Sequence, residues 1–210
     1  MPPKPKYSRE EVLEKAWRIL CEEGASRVTA RALGNALNTS SRPVFTAYRD
    51  MEELREALMD RALKAYRTRV EKAEYYTLPY KQAAVEMVLF AMREKHLFSF
   101  IFLEKHREMA ENGEFFYGFT NDTSARLVNA LACDYGLKDA EAQRILSVIL
   151  SNAFSIACRL ALGLTNADIE SVQEMIGQEI TAQVMLAKSG KMDYPTMQPV
   201  YRGKPDRKPM

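Results

Sequence analysis

From Gly24 to Arg49 the chain contains no Asp or Glu, while Arg27, Arg31, Arg42 and Arg49 are interspersed with Thr29, Thr39, Ser40, Ser41 and Thr46. Guanidinium and hydroxyl groups without a competing carboxylate are the donors that a phosphate surface takes up. Arg42 is open to a second chemistry, because its planar fork can donate to O6 and N7 of one guanine together. Lys4 and Lys6, with Arg9, supply an arm suited to a nucleic-acid backbone, which adds affinity without sequence information. Other chemistry finds little support. His96 and His106 stand ten residues apart with no Cys or acidic pair at ligand spacing, so no metal site is expected. No glycine-rich phosphate loop, Gly-x-Ser-x-Gly elbow or Cys-His signature occurs. No catalytic residue and no cofactor are assigned, and the chain is not read as an enzyme. Cys21, Cys133 and Cys158 are odd in number and widely spaced, which fits neither a disulfide framework nor a zinc site and points to a reducing compartment. Cys21 and Cys158 read as small buried apolar side chains.

The elements that must present these donors are helices. Only nine glycines and nine prolines occur, most prolines lying in the first five residues or after Met192, and apolar residues recur at helical spacing. The pattern predicts an all-α fold of about nine helices. Ser8-Arg-Glu-Glu11 is a capping box with Tyr7 and Val12 placed as a staple, and the first helix stops at Gly24. A short helix over 29–37 follows, then Asn38, whose short side chain tolerates positive φ, then a second short helix over 40–48. Leu33, Ala36 and Leu37 are expected to pack against Val44, Phe45 and Tyr48, which is helix-turn-helix geometry with Ser40, Ser41, Arg42 and Pro43 entering the major groove first. Asp50-Met-Glu-Glu53 reads as a second capping box, opening a helix to about Tyr75. Further helices are expected over 78–95, 97–111, 121–135, 139–163 and 167–188.

The net charge of +2 is small but uneven. Residues 1–55 hold ten Lys/Arg against eight Asp/Glu, residues 56–187 fourteen against eighteen, and residues 188–210 six against two. The domain reading is a three-helix DNA-binding unit over 1–52, a connecting helix over 51–75, a helical body over 53–190, and an extended or disordered tail over 191–210 rich in Pro and charge. The N-terminus lacks a signal-peptide core, and no stretch reaches the roughly 18 uncharged apolar residues of a membrane span. A cytoplasmic protein without a membrane partner is expected.

The stretch VTARALGNALNTSSRPVFTAYRDMEELREAL resembles the DNA-binding signature of the TetR family of transcriptional regulators. Thr29 opens the second helix, Leu33 and Gly34 occupy the family's Ile-Ala core step, and Ser40 and Arg42 begin the recognition helix. Phe45 and Tyr48 stand where the family has Tyr and Phe, and Glu52, Glu53 and Leu54 continue into helix four. Two departures are Asn38, in place of the turn glycine, and Met51, in place of the lysine that opens helix four and touches phosphate. The DNA-contacting set drawn from pattern and resemblance together is Lys4, Lys6, Arg27, Thr29, Ser40, Ser41, Arg42, Pro43, Thr46, Tyr48 and Met51.

The resemblance also implies a body that dimerises through its last two long helices and binds a small molecule between its middle ones. One stripe holds Ile145, Val148, Ile149, Ile156 and Leu160, and another holds Ile169, Val172, Ile176, Ile180 and Val184. Four such helices from two subunits would make the interface, with Ile145, Ile149, Ile156, Ile176 and Ile180 at its centre, unless the stripes serve only the monomer core. Met92, Phe98, Phe102, Phe116 and Phe119 are the expected pocket wall, unless they are ordinary core. The function expected is a homodimeric, sequence-specific regulator on double-stranded operator DNA, a repressor released by a small apolar or aromatic effector. The alternatives are an all-α ligand-binding protein or enzyme with merely structural N-terminal helices, and a nonspecific architectural DNA binder.

Overall fold

The structure is a computed structural model that describes residues 7–104 and 117–190. Lys4, Lys6, His106, Met109, Phe115, Phe116 and the tail over 191–210 lie outside the described residues. Among the described residues there are nine α-helices, two short 3-10 turns and no strand. The order is α1 Arg9–Glu23, α2 Ala30–Ala36, α3 Arg42–Ala47, α4 Met51–Glu71, α5 Pro79–Arg93, α6 Lys95–Phe102, α7 Asn121–Tyr135, α8 Asp139–Ala161 and α9 Ile169–Lys188.

The local rules that mark the ends of α1 operate as expected. The Ser8 hydroxyl accepts from the Glu11 N–H at 3.1 Å and the Glu11 carboxylate accepts from the Ser8 N–H at 2.7 Å, closing the capping box. Gly24 ends the helix at φ +89°. A side chain there would also meet the His96 ring, its Cβ lying 3.1 Å from Nδ1. The start of α4 differs from the expected box. Asp50 accepts from the Glu53 N–H at 2.9 Å, but the Glu53 carboxylate reaches the Arg49 N–H at 2.6 Å rather than that of Asp50. It is drawn there by Arg9, which pairs with it at 2.7 Å.

Helix α5 is the axle of the body. Tyr80, Ala83, Ala84, Val85, Met87, Val88, Phe90 and Ala91 are all buried, so it is apolar on nearly every side, the pattern of a central helix. It packs against α4, α6, α7, α8 and α9. That arrangement corrects the expected dimer interface. Ile145, Ile149, Ile156, Ile176 and Ile180 are each at most 3% exposed within a single chain, because the isoleucine stripes of α8 and α9 face α5 and one another. The outward faces carry other residues: Arg144, Val148, Asn152, Ser155 and Arg159 on α8, and Met175, Gln178, Ala182 and Met185 on α9. Helix α8 contains no run of 18 uncharged residues, since Arg144 and Arg159 bound its apolar stretch, yet by length and mean hydropathy alone it is long and apolar enough to cross a membrane. Its apolar side is occupied by the core packing just described.

Helix α4 joins the two parts. Its buried Leu54, Leu58, Ala62, Tyr66 and Val70 lie along one side, and it packs on α1 as well as on α5 and α6.

Candidate nucleic-acid interface

Helices α2 and α3 are short, and tertiary contacts hold them rather than their own propensity. Thr29 caps α2 by accepting from the Ala32 N–H at 3.1 Å. Leu33, Leu37, Val44 and Tyr48 are buried between them. Asn38 turns the chain at φ +51°, as its side chain permits. Gly34 makes the close approach possible: a Cβ there would stand 2.9 Å from both Ser40 C and Ser41 N. The Thr39 N–H donates to the Gly34 carbonyl at 2.9 Å across the same contact. Helix α3 is shorter than the sequence suggests, beginning at Arg42 because Ser41 is its cap and ending at Ala47 as Tyr48 turns to extended backbone.

Tyr48 explains that ending and corrects its assignment as a DNA contact. Its ring is 1% exposed and its hydroxyl donates to the Arg9 carbonyl at 3.2 Å, tying the end of α3 to the start of α1. Arg9 is likewise turned to the fold rather than to an outer arm. Its guanidinium lies 4.1 Å from the Tyr48 ring centroid, donates to the Ala47 carbonyl at 3.3 Å, and pairs with Glu53. Tyr7 completes the frame by donating to the Leu37 carbonyl at 2.6 Å. The Glu53 carboxyl is held below its ordinary range, first by the Arg49 N–H and then by Arg9.

With these side chains turned inward, the outward set is clear. Arg27, Thr29, Arg31, Ser40, Arg42 and Thr46 are exposed, and Ser41 and Pro43 are half-buried beside them. Arg27, Arg31 and Arg42 have no ion pair among the described residues. The contrast with α4 is sharp: Arg61 pairs with Glu14 at 2.7 Å, Arg69 with Glu94 at 3.3 Å, Arg55 with Glu104, and Arg67 donates to the Gly118 carbonyl. Thr46 bonds back to the Arg42 carbonyl at 3.1 Å, which leaves its oxygen as an acceptor for a further partner. Met51 is half-buried, bordering a void of about 20 Å³ with Leu20, Val28, Arg55 and Phe100. Its side chain therefore packs into the joint, and any phosphate contact there falls to the backbone N–H groups at the start of α4.

Phe45 is the residue that sequence reasoning misplaced. Expected in the core, it is 50% exposed, while its neighbour Val44 is fully buried. Arg42, Phe45 and Thr46 stand at i, i+3 and i+4 of α3 and are all exposed, so they form one outward row. Arg49, exposed beyond the end of α3, is paired with Asp50 at 3.0 Å.

The expected pocket residues divide. Phe98 and Phe119 are buried and Phe102 half-buried in an aromatic cluster around Tyr66 of α4. The Tyr66 ring centroid lies 5.2 Å from Phe90, 5.2 Å from Phe102 and 6.3 Å from Phe119. Met92 departs from that cluster, 37% exposed on the outer side of α5. Among the described residues the buried Tyr66 hydroxyl has no hydrogen-bond partner, and its desolvation pushes the phenol pKa far upward. Burial also pushes the Cys21 thiol up to about 11 and raises that of Cys158, so neither is a thiolate at neutral pH. Among the described residues no group of three His, Cys, Asp or Glu side chains is placed to hold a metal ion. No protein-family model matches the chain, and no curated protein matches it.

Proposed function

We propose that this chain is a sequence-specific DNA-binding transcriptional regulator of the TetR type. In this reading it acts as a homodimer on a near-palindromic operator and is released by a small apolar or aromatic ligand. The observation that carries the reading is the row of exposed, unpaired cations. Among the described residues Arg27, in the 3-10 turn before α2, Arg31 on α2 and Arg42 on α3 have no ion pair, whereas every arginine of α4 has an acceptor. Cations left without counter-charges are what counterion release from a phosphate backbone rewards. Arg42, at the first turn of α3, is the residue placed to read a guanine.

Dimerisation uses the outward faces of α8 and α9, around Val148, Ser155, Ala182 and Met185, in place of the buried isoleucines. The ligand acts at the aromatic cluster around Tyr66. Helix α4 is the coupling element: its first turn holds Arg9 and Arg49 through Glu53, and its middle carries Tyr66. A ligand that favours one position of α4 shifts the recognition helices only by its unequal affinity for the two positions. About 2 kcal/mol of coupling gives roughly thirtyfold release.

The test is selection of bound fragments from the source genome by the purified protein, followed by salt titration on the recovered site. A short near-palindromic motif bound by a dimer is expected, with affinity falling steeply in salt. Arg42→Ala is expected to lose about 1–3 kcal/mol and to relax the preference at one base pair of each half-site while the fold stays intact. Binding that is equal on all sequences, for parent and variant alike, would reduce the protein to a nonspecific binder. Apolar aromatic compounds that shift neither thermal stability nor operator affinity would remove the effector from the proposal.

A further inference from the structure

On the outward row of α3, guanidinium and hydroxyl groups are what a phosphate surface asks for, and Phe45 is not. Among the described residues before Tyr75 it is the one large apolar side chain that is exposed, at 50%. It does not pack on the core as Leu13, Trp17 and Met51 do. Val44 takes the inward position on α3 and Tyr48 the one just past its end, while Phe45, about 100° further round the helix than Val44, faces outward. A phenyl ring has neither donor nor acceptor, so its contact with DNA must be apolar. In the major groove the apolar group that differs between bases is the 5-methyl of thymine.

We infer that Phe45 is a second base-reading residue, packing on a thymine methyl beside the guanine read by Arg42. The inference rests on α3 being the recognition helix. Residues i and i+3 are displaced by about 4.5 Å along a helix axis, and stacked bases repeat about every 3.4 Å. The two readers therefore address positions one or two base pairs apart. Each half-site should contain a guanine and a thymine at that separation, on either strand. Arg42 fixes the guanine through directed hydrogen bonds, and Phe45 adds a preference that depends on shape and desolvation.

The experiment selects sites from a random duplex pool with the parent and with Phe45→Ala, then replaces single thymines of the parent's site by deoxyuridine, which removes only the methyl group. A motif with guanine and thymine within two base pairs is expected. One uracil replacement should weaken the parent about fourfold, the effect of one methyl group's burial. Phe45→Ala should bind the thymine and uracil sites equally while keeping the guanine preference. Because Phe45 is exposed, the variant should melt with the parent, and Phe45→Leu should retain part of the thymine preference. Indifference of the parent to every uracil replacement, or an unchanged thymine preference in Phe45→Ala, overturns the inference and leaves the regulator reading standing. Failure to enrich any motif overturns both.

Discussion

Gly34→Ala tests whether the two short helices are held together as described. Taken alone, glycine to alanine in a helix interior should stabilise by about 0.8–1 kcal/mol. At Gly34 the new Cβ meets Ser40 C and Ser41 N at 2.9 Å and Ser40 O at 3.0 Å, where ordinary contact begins at 3.4 Å. The obstacle is main chain, tied to Gly34 itself through the Thr39 N–H, so the α3 side must withdraw by about half an ångström. Overpacking of this kind costs about 1–3 kcal/mol, and rigid backbone places the cost in the upper part of that range. The net expectation is a loss of about 1–2 kcal/mol, or a melting temperature lower by about 2–8 °C for a chain of this size. Gly177→Ala is the control. Its Cβ meets only the end of the flexible Lys81 side chain, 3.2 Å from Nζ, so it should melt at or slightly above the parent. Thermal denaturation of the two variants, with operator binding measured on the same samples, makes the comparison. A Gly34→Ala protein that melts with Gly177→Ala and binds DNA like the parent would refute the close approach of α2 to the α3 turn.

Two further outcomes follow from single groups. Tyr66→Phe removes a buried hydroxyl that has no partner among the described residues; since stranding such a group costs about 1–3 kcal/mol, the variant should be as stable as the parent or more so in chemical denaturation. A loss above about 1 kcal/mol would mean that the hydroxyl is satisfied. The Glu53 carboxyl, held below its ordinary 4.5 by the Arg49 N–H and Arg9, stabilises the fold above that value. Its contribution fades as pH falls through the lowered one. Melting temperature should therefore fall less steeply below pH 4.5 in Glu53→Gln than in the parent, and equal slopes would show that this carboxylate contributes nothing.

Much of the N-terminal unit was legible because its signals are local. The Ser8 box, the Gly24 stop, the Thr29 cap and the Asn38 turn each depend on side chains bonding or bending their own backbone. The limits of α7 were legible for the same reason, with Thr120 accepting from the Thr123 N–H at one end and Gly136 at φ +62° at the other. What periodicity could not decide was which partner an apolar side receives. In a helix as short as α3, adjacent Val44 and Phe45 fit the core equally well by pattern, and tertiary contacts, among them the Gly34 approach and the Tyr48–Arg9 contact, decide that Val44 is buried and Phe45 faces outward. The isoleucines of α8 and α9 posed the same question at greater length. A stripe is equally suited to a second subunit and to α5, and here α5 takes it.

The distribution of ion pairs argues for the same division of labour as the packing. A single exposed pair contributes about 0–1 kcal/mol, so the pairs of α4 matter less for total stability than for position. Arg61 reaches Glu10 and Glu14 on α1, and Arg55 and Arg69 reach Glu104 and Glu94 on the body side. The same helix is thereby held to both parts at several points along its length. A displacement of α4 by the body must then break pairs to α1 or carry α1 with it. Because α1 holds α3 through Arg9 and Tyr48, carrying α1 means carrying α3. The unpaired Arg27, Arg31 and Arg42 lie beyond this chain of contacts, so α2 and α3 can move as a unit without breaking an ion pair of those three arginines.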